Sequence, residues 1–293
     1  MDMENADVNN FENKGEFDFF HLAFEDMSKR LFFKEIWVER KKQENPKPFV
    51  MITDMCKNVT GSADGRVWIS MEGNLQVTVA YPIKFTSDFE DEMFPLIVPI
   101  AVKETYQMFA PGKFMCKFPN DTVCKEHKRK VGGLLIRKIE GYVLIFLGAN
   151  LLTAPEDSQL RKNCYGACCL KNHCEKCPSK YDFSVALYYK IKEMSKSYNT
   201  IEKVLDLQNT TMNEYEPNYK LSINNPNADL KKDGAFWTED FPNAYLKVEH
   251  SGRRYQYFSC YYDNVFYKVE GDPEKPKHYH LLHQYVDSHE KWI

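Results

Sequence analysis

The sequence predicts an α+β domain, a sheet of several strands packed with a central helix, followed by a small antiparallel β unit. Three observations predict it. Short runs rich in β-branched and aromatic residues, punctuated by Gly and Asn turns, recur through residues 49–148. One stretch among them, residues 94–109, has the apolar density of a buried helix. No glycine fingerprint of a dinucleotide-binding fold accompanies them.

Residues 1–16 are acidic, Asn-rich and without apolar period, so they read as a disordered lead. Over residues 17–34 Phe19, Leu22, Phe24, Met27, Leu31 and Phe32 recur at mostly helical spacing, which predicts an amphipathic helix. The charged run 39–47, closed by Pro48, reads as an exposed loop. Strands follow at 49–54, 66–70 and 75–81, the last two separated by a turn at Glu72, Gly73 and Asn74. The helix at 94–109 contains Pro99; a start near that residue would suit a proline in the first turn. Further strands are expected at 113–118, 133–139 and 142–148, with Glu140 and Gly141 as the hairpin turn between the last two.

After Ala154 the composition shifts. Residues 160–180 form a Cys-rich insertion, 184–207 read as a helix, and 208–235 are an Asn- and Pro-rich linker. Strands at 244–250, 253–262 and 265–269, joined by Ser251–Gly252 and Asp263–Asn264 turns, build a small β domain over 236–293. The main domain then spans 17–207.

Lys plus Arg is 39 and Asp plus Glu is 42, so the formal charge is 39 − 42 = −3. A balance so near neutral supplies no field to gather nucleic acid or an acidic membrane surface. No apolar run approaches the roughly 20 residues needed to span a bilayer. The polar, acidic start is neither a secretory nor a transit signal, so a cytoplasmic protein is expected. Nine cysteines in a reducing compartment are then free thiols rather than a disulfide frame.

Two segments point to chemistry. Lys117, Phe118, Pro119, Asn120 and Asp121 close a strand, and Pro119 ends the ladder so that the Asn–Asp pair projects from the sheet edge. Lys130 then precedes Val131, Gly132 and Gly133, where missing side chains let a ligand approach the backbone. A lysine beside such a pair suits a phosphate or carboxylate.

In this order, with Gly65, Arg66, Trp68 and Ser70 before them and Gly148, Ala149 and Asn150 after, these segments resemble the catalytic domain of biotin–protein ligases over residues 49–152. The resemblance implies a fold of the class II aminoacyl-tRNA-synthetase type. It implies biotin, ATP and Mg²⁺ as ligands and the biotin carrier domain of a carboxylase as partner. Lys130 would bridge the biotin carboxylate and the ATP α-phosphate, with Asn120 and Asp121 on the nucleotide and acceptor-lysine side. Gly61, Gly65, Arg66, Trp68, Lys117, Gly132, Gly133 and Asn150 would bind the ligands, and the C-terminal β unit would stand where the family carries a small barrel-like domain. Pro119 favours biotin over lipoate or octanoate transfer. The loop 60–65 departs from the family: Ala63 stands where a phosphate-facing arginine is implied, and Asp64 sets a carboxylate beside it. That repulsion, roughly 4 kcal/mol at ~4 Å and an effective dielectric of ~20, supports the alternative of a ligase fold kept as a protein-binding subunit.

Cys164, Cys168, Cys169, Cys174 and Cys177 share the insertion with His173. Four thiolates at such spacings can hold Zn²⁺. Only Cys174-x-x-Cys177 is well formed, which favours reduced thiols in a surface loop over a metal site. The histidines of the tail, His278, His280, His283 and His289, read as exposed and polar.

Overall fold

The computed structural model describes residues 8–13, 15–26, 46–57, 68–82, 94–117, 120–139, 142–160, 166–215, 220–223, 246–250, 253–259, 266–270 and 280–281. Eight strands form the main sheet: β1 (Val8–Asn13), β2 (Asp18–Asp26), β3 (Phe49–Lys57), β4 (Leu75–Pro82), β5 (Phe114–Lys117), β6 (Asp121–Cys124), β7 (Lys130–Ile139) and β8 (Tyr142–Ala149). Their spatial order is β1-β2-β3-β4-β8-β7-β6-β5. Only the β2–β3 pair is parallel; the other neighbours are antiparallel, so the sheet is mixed.

Helices α1 (Phe94–Phe109), α2 (Lys180–Ser197) and α3 (Ile201–Met212) pack on one face of this sheet. Alternation decides which side chains meet them. Leu75, Val77, Val79 and Tyr81 of β4 and Val143, Ile145 and Leu147 of β8 join the helices in the larger core. Ala80, Tyr142, Leu144, Phe49, Met51 and Leu22 point the other way and form a second cluster. The first half of helix α1 is apolar on all sides: Leu96, Ile97, Val98, Ile100, Ala101 and Val102 are all buried, at about 1.5–3 kcal/mol for each large aliphatic side chain. It begins at Phe94 and carries Pro99 inside, rather than starting near it. Helix α3 is tied to α1 by Gln208, whose Nε2 donates to the Leu96 carbonyl.

Several expectations are revised. Residues 18–26 are strand β2, not the start of a helix; residues 27–34 lie outside the described part. The reason is that both faces of β2 are buried. Phe17 and Phe19 join the helix-side core while Leu22 and Phe20 join the opposite cluster, and an apolar run serving two faces imitates helical spacing. Val8–Asn13 pairs with β2 as strand β1, where an unstructured lead was expected. Trp68–Ser70 belongs to no strand, while Arg66 and Val67 lie outside the described residues, as do Glu140 and Gly141. The single helix expected at 184–207 is two: Tyr198 closes α2, and the Thr200 side chain accepts from the Lys203 amide to open α3. Strand β6 was not expected at all.

The C-terminal residues form a separate antiparallel sheet in the order β13-β12-β11-β10-β9. Strands β10 (Leu246–His250), β11 (Arg253–Ser259) and β12 (Phe266–Glu270) fall where alternation placed them. Strand β9 (Lys220–Ile223) comes from the supposed linker, and β13 (His280–Leu281) from the histidine tail. No described helix is long and apolar enough to cross a membrane.

Candidate active site

The candidate site is a trough on the sheet face opposite the helices. Strand register sets Leu22, Thr53, Gln76, Gly148, Gly133, Asp121 and Lys117 side by side across β2, β3, β4, β8, β7, β6 and β5. The two glycines are direct neighbours in this row, so its centre has a floor of bare backbone. At ~4.8 Å per strand, Gln76 and Asp121 stand roughly 14 Å apart as its polar walls.

Two side chains lie on that floor. A Cβ on Gly148 would stand 2.5 Å from Trp68 Cε2, and one on Gly133 would stand 2.6 Å from Lys130 Nζ. The Lys130 ammonium is 5.8 Å from the Trp68 ring centroid. Lys130 reaches this face through an irregularity in the β6–β7 register between Thr122 and Val123. The extra residue puts Val131 and Gly132 both toward the helices and turns Lys130 over Gly133, as bulges beside functional sites do.

Asp121 anchors the charges. Its Oδ1 is 2.6 Å from Lys130 Nζ and its Oδ2 is 3.5 Å from Lys117 Nζ. Burial pushes its carboxyl up, but the two ammoniums outweigh burial and hold it below the ordinary carboxylate range. Two positive charges against one negative leave one net positive charge facing the trough, suited to an anionic ligand.

Two donors in this region have no acceptor among the described residues: Trp68 Nε1 and Gln76 Nε2 are both buried and unbonded. A buried donor left without a partner costs about 1–3 kcal/mol. Here both sit beside the glycine floor, where an acceptor oxygen of a ligand would satisfy them.

The structure thus brings Lys117, Asp121, Lys130, Gly133 and Trp68 together. It places three other predicted residues in the frame. Gly132 faces the helices, where its missing side chain makes room for the Tyr106 hydroxyl. Asn150 is buried; its Nδ2 donates to the Cys168 carbonyl at 3.1 Å and its Oδ1 accepts from Asn74 at 3.0 Å. Asn120 braces β7, its Nδ2 donating to the Leu134 carbonyl at 2.7 Å. Gly61, Gly65 and Arg66 lie outside the described residues, as do Phe118 and Pro119. A separate cavity of about 660 Å³, lined by Met71, Thr153, Glu156, Gln159 and Cys168 among others, contains none of the predicted site residues.

No known protein-family profile matches the chain, and no curated protein matches it in sequence. Solved structures do. The biotin protein ligase of Leishmania major in complex with biotinyl-5-AMP is 18% identical, with a TM-score of 0.54 over 82% of this chain and 96% of that one. The same enzyme with biotin covers 89% of this chain and 100% of its own, again at 18% identity and 0.54. The Aquifex aeolicus biotin protein ligase with biotin and ATP is 17% identical, at 0.54 over 86% and 99%. The chain has the biotin protein ligase fold.

Within that fold, the residues sequence reasoning missed are Gln76 and Thr53. Neither belongs to a motif. Only their register opposite Gly148 and Gln76 brings them to the trough, and no local signal announces a pairing across such sequence distances.

Proposed function

We propose that the protein is a biotin–protein ligase: it joins biotin and Mg-ATP as biotinyl-5′-adenylate and transfers the biotinyl group to a lysine of a carboxylase carrier domain. The observation that supports this most is the Lys130–Asp121–Lys117 network beside the Gly133–Gly148 floor, in a fold whose neighbours hold biotin, biotinyl-5-AMP and ATP.

The reaction runs in two displacements. A biotin carboxylate oxygen attacks the α-phosphorus of ATP, and pyrophosphate leaves with the electrons of the broken P–O bond. The acceptor amine then attacks the acyl carbonyl, AMP leaves, and the amine loses its proton. Neither step needs a protein nucleophile, so the protein's contribution is orientation and charge. Lys130 offsets the negative charge where carboxylate and phosphate meet. Asp121 fixes the Lys130 ammonium, and Trp68 closes over the ligand and keeps water from the mixed anhydride. The glycine floor lets the ligand lie against backbone. Magnesium enters with the nucleotide as part of the substrate.

The deciding experiment measures pyrophosphate release from the full chain with biotin and Mg-ATP. Biotin-dependent release that disappears in Lys130→Ala supports the ligase. No release, with no calorimetric binding of biotin or ATP, leaves the fold serving as a protein-binding subunit, the reading to which Asp64 points.

A further inference from the structure

We infer that Cys124, Cys168 and His173 form a binding site for a soft divalent cation, Zn²⁺ foremost, which clips the Cys-rich segment to the turn behind Lys130. The inference does not depend on the ligase reading. The ligand atoms of the three side chains lie within 4.8 Å of one another. Tetrahedral zinc with sulfur at ~2.3 Å and nitrogen at ~2.0 Å spaces its ligands about 3.5–3.8 Å apart, so an ion needs only a contraction of ~1 Å.

The three residues arrive from different places, each held by its own backbone. Cys124 ends β6, and its amide donates to the Arg129 carbonyl at 2.9 Å. Cys168 follows the point where the insertion meets the sheet; its amide donates to the Lys130 carbonyl at 2.9 Å and its thiol to the Arg129 carbonyl at 3.3 Å. His173 ends a single 3-10 turn, Leu170–His173, with its ring edge-on to Phe114. Both cysteines are buried, and the His173 Nε2 is buried with no hydrogen-bond partner among the described residues.

Two thiols and an imidazole make a donor set suited to zinc. Two thiol protons pass to water as two metal–sulfur bonds form. Of the three residues, Cys168 also lines the 660 Å³ cavity. The ligand set is not the one spacing suggested. Cys174 and Cys177 turn their thiols to the Leu170 and Leu151 carbonyls, while Cys124 comes from a strand far away in sequence.

The consequence is positional. Lys130 is bridged in parallel to Ala167, its amide donates to the Gly166 carbonyl and its carbonyl accepts from Cys168. An ion joining Cys124 to Cys168 and His173 therefore locks the backbone on both sides of Lys130.

The test uses the reduced full-length chain. Zinc content is measured by mass spectrometry after dialysis, and affinity by competition with a chromophoric chelator. The variants are Cys124→Ser, Cys168→Ser and His173→Gln, with Cys174→Ser and Cys177→Ser as controls. One zinc per chain is expected. Each of the first three changes should weaken it by more than the ~10–100-fold typical of losing an outer-shell partner, and both controls should retain it. Cobalt added to the wild-type protein should show thiolate-to-cobalt charge-transfer absorption, a reading that does not depend on any variant folding. Absence of that absorption and of bound zinc overturns the proposal. So does loss of metal from the controls instead, or a metal-free Cys124–Cys168 disulfide in the protein as isolated.

Discussion

Gly132 and Gly133 are adjacent, yet they do opposite work. On the helix side, the space at Gly132 is filled by the Tyr106 hydroxyl, which donates to the Val131 carbonyl at 3.1 Å and belongs to a wholly buried ring. On the open side, the space at Gly133 is filled by the flexible end of Lys130. At Gly132 the sheet face is closed by fixed packing; at Gly133 it is covered by the flexible end of a lysine side chain. A glycine near a candidate site lysine is therefore not evidence of ligand approach until its face is known.

The largest effect expected is on chemistry. Lys130→Ala should lower biotin-dependent pyrophosphate release by ~10²–10³-fold or more, the range for losing one preorganised charge-stabilising donor, while circular dichroism stays native. Full activity in this variant would remove the open face from the reaction.

Gly132→Ala should break the closed face. Its Cβ would stand 2.8 Å from the Tyr106 hydroxyl and 3.3 Å from the Gly148 carbonyl oxygen, neither of which moves freely. A loss of about 1–3 kcal/mol is expected from overpacking, visible as a lower denaturant midpoint. Unchanged stability would mean that Tyr106 is looser than its burial implies.

Gly133→Ala and Gly148→Ala sharpen the contrast. Their clashes are with Lys130 and Trp68, so stability should fall by less than about 1 kcal/mol for Gly133→Ala, within the ordinary range for single changes. Biotin affinity, read by calorimetry, should fall roughly tenfold (~1.4 kcal/mol). Equal stability losses at 132 and 133 would erase the distinction between the faces.

The smallest effect is the pH dependence of Asp121. Its folded pKa lies below its unfolded value of ~3.9. The stability it contributes is therefore complete above that value and is lost as pH falls through the lower, folded pKa. Wild type and Asp121→Asn should differ by a constant amount near neutral pH and converge below about pH 4. A difference persisting undiminished in acid would mean that the carboxylate is not held by Lys117 and Lys130.

Much of the fold was legible because it is built locally. Strand β4 alternates, β7 and β8 are apolar runs set around Glu140 and Gly141, and α1 opens with nine apolar residues, Phe94 to Val102. Strand β2 was misread because burial on both faces hides the two-residue period. Strand β6 was missed because four residues after Asn120 carry too little pattern to stand apart from a turn. In the site, Lys130 and Asp121 showed themselves by residue type. Gln76 and Thr53 did not, since an ordinary polar residue in a strand acquires meaning only from what lies beside it.

The sequence by itself determined the α+β class, the central helix, the C-terminal β unit and the lysine and aspartate of the trough. These follow from hydrophobic period and side-chain chemistry, which are properties of neighbours along the chain. Tertiary structure alone decided which glycine faces the trough, which polar residues wall it, and that Cys124 rather than Cys174 or Cys177 stands beside Cys168 and His173. The first two are consequences of strand register and of one bulge, and a shift of one residue in either would turn those side chains to the other face; the third follows from the backbone hydrogen bonds that seat the Cys-rich segment against Lys130.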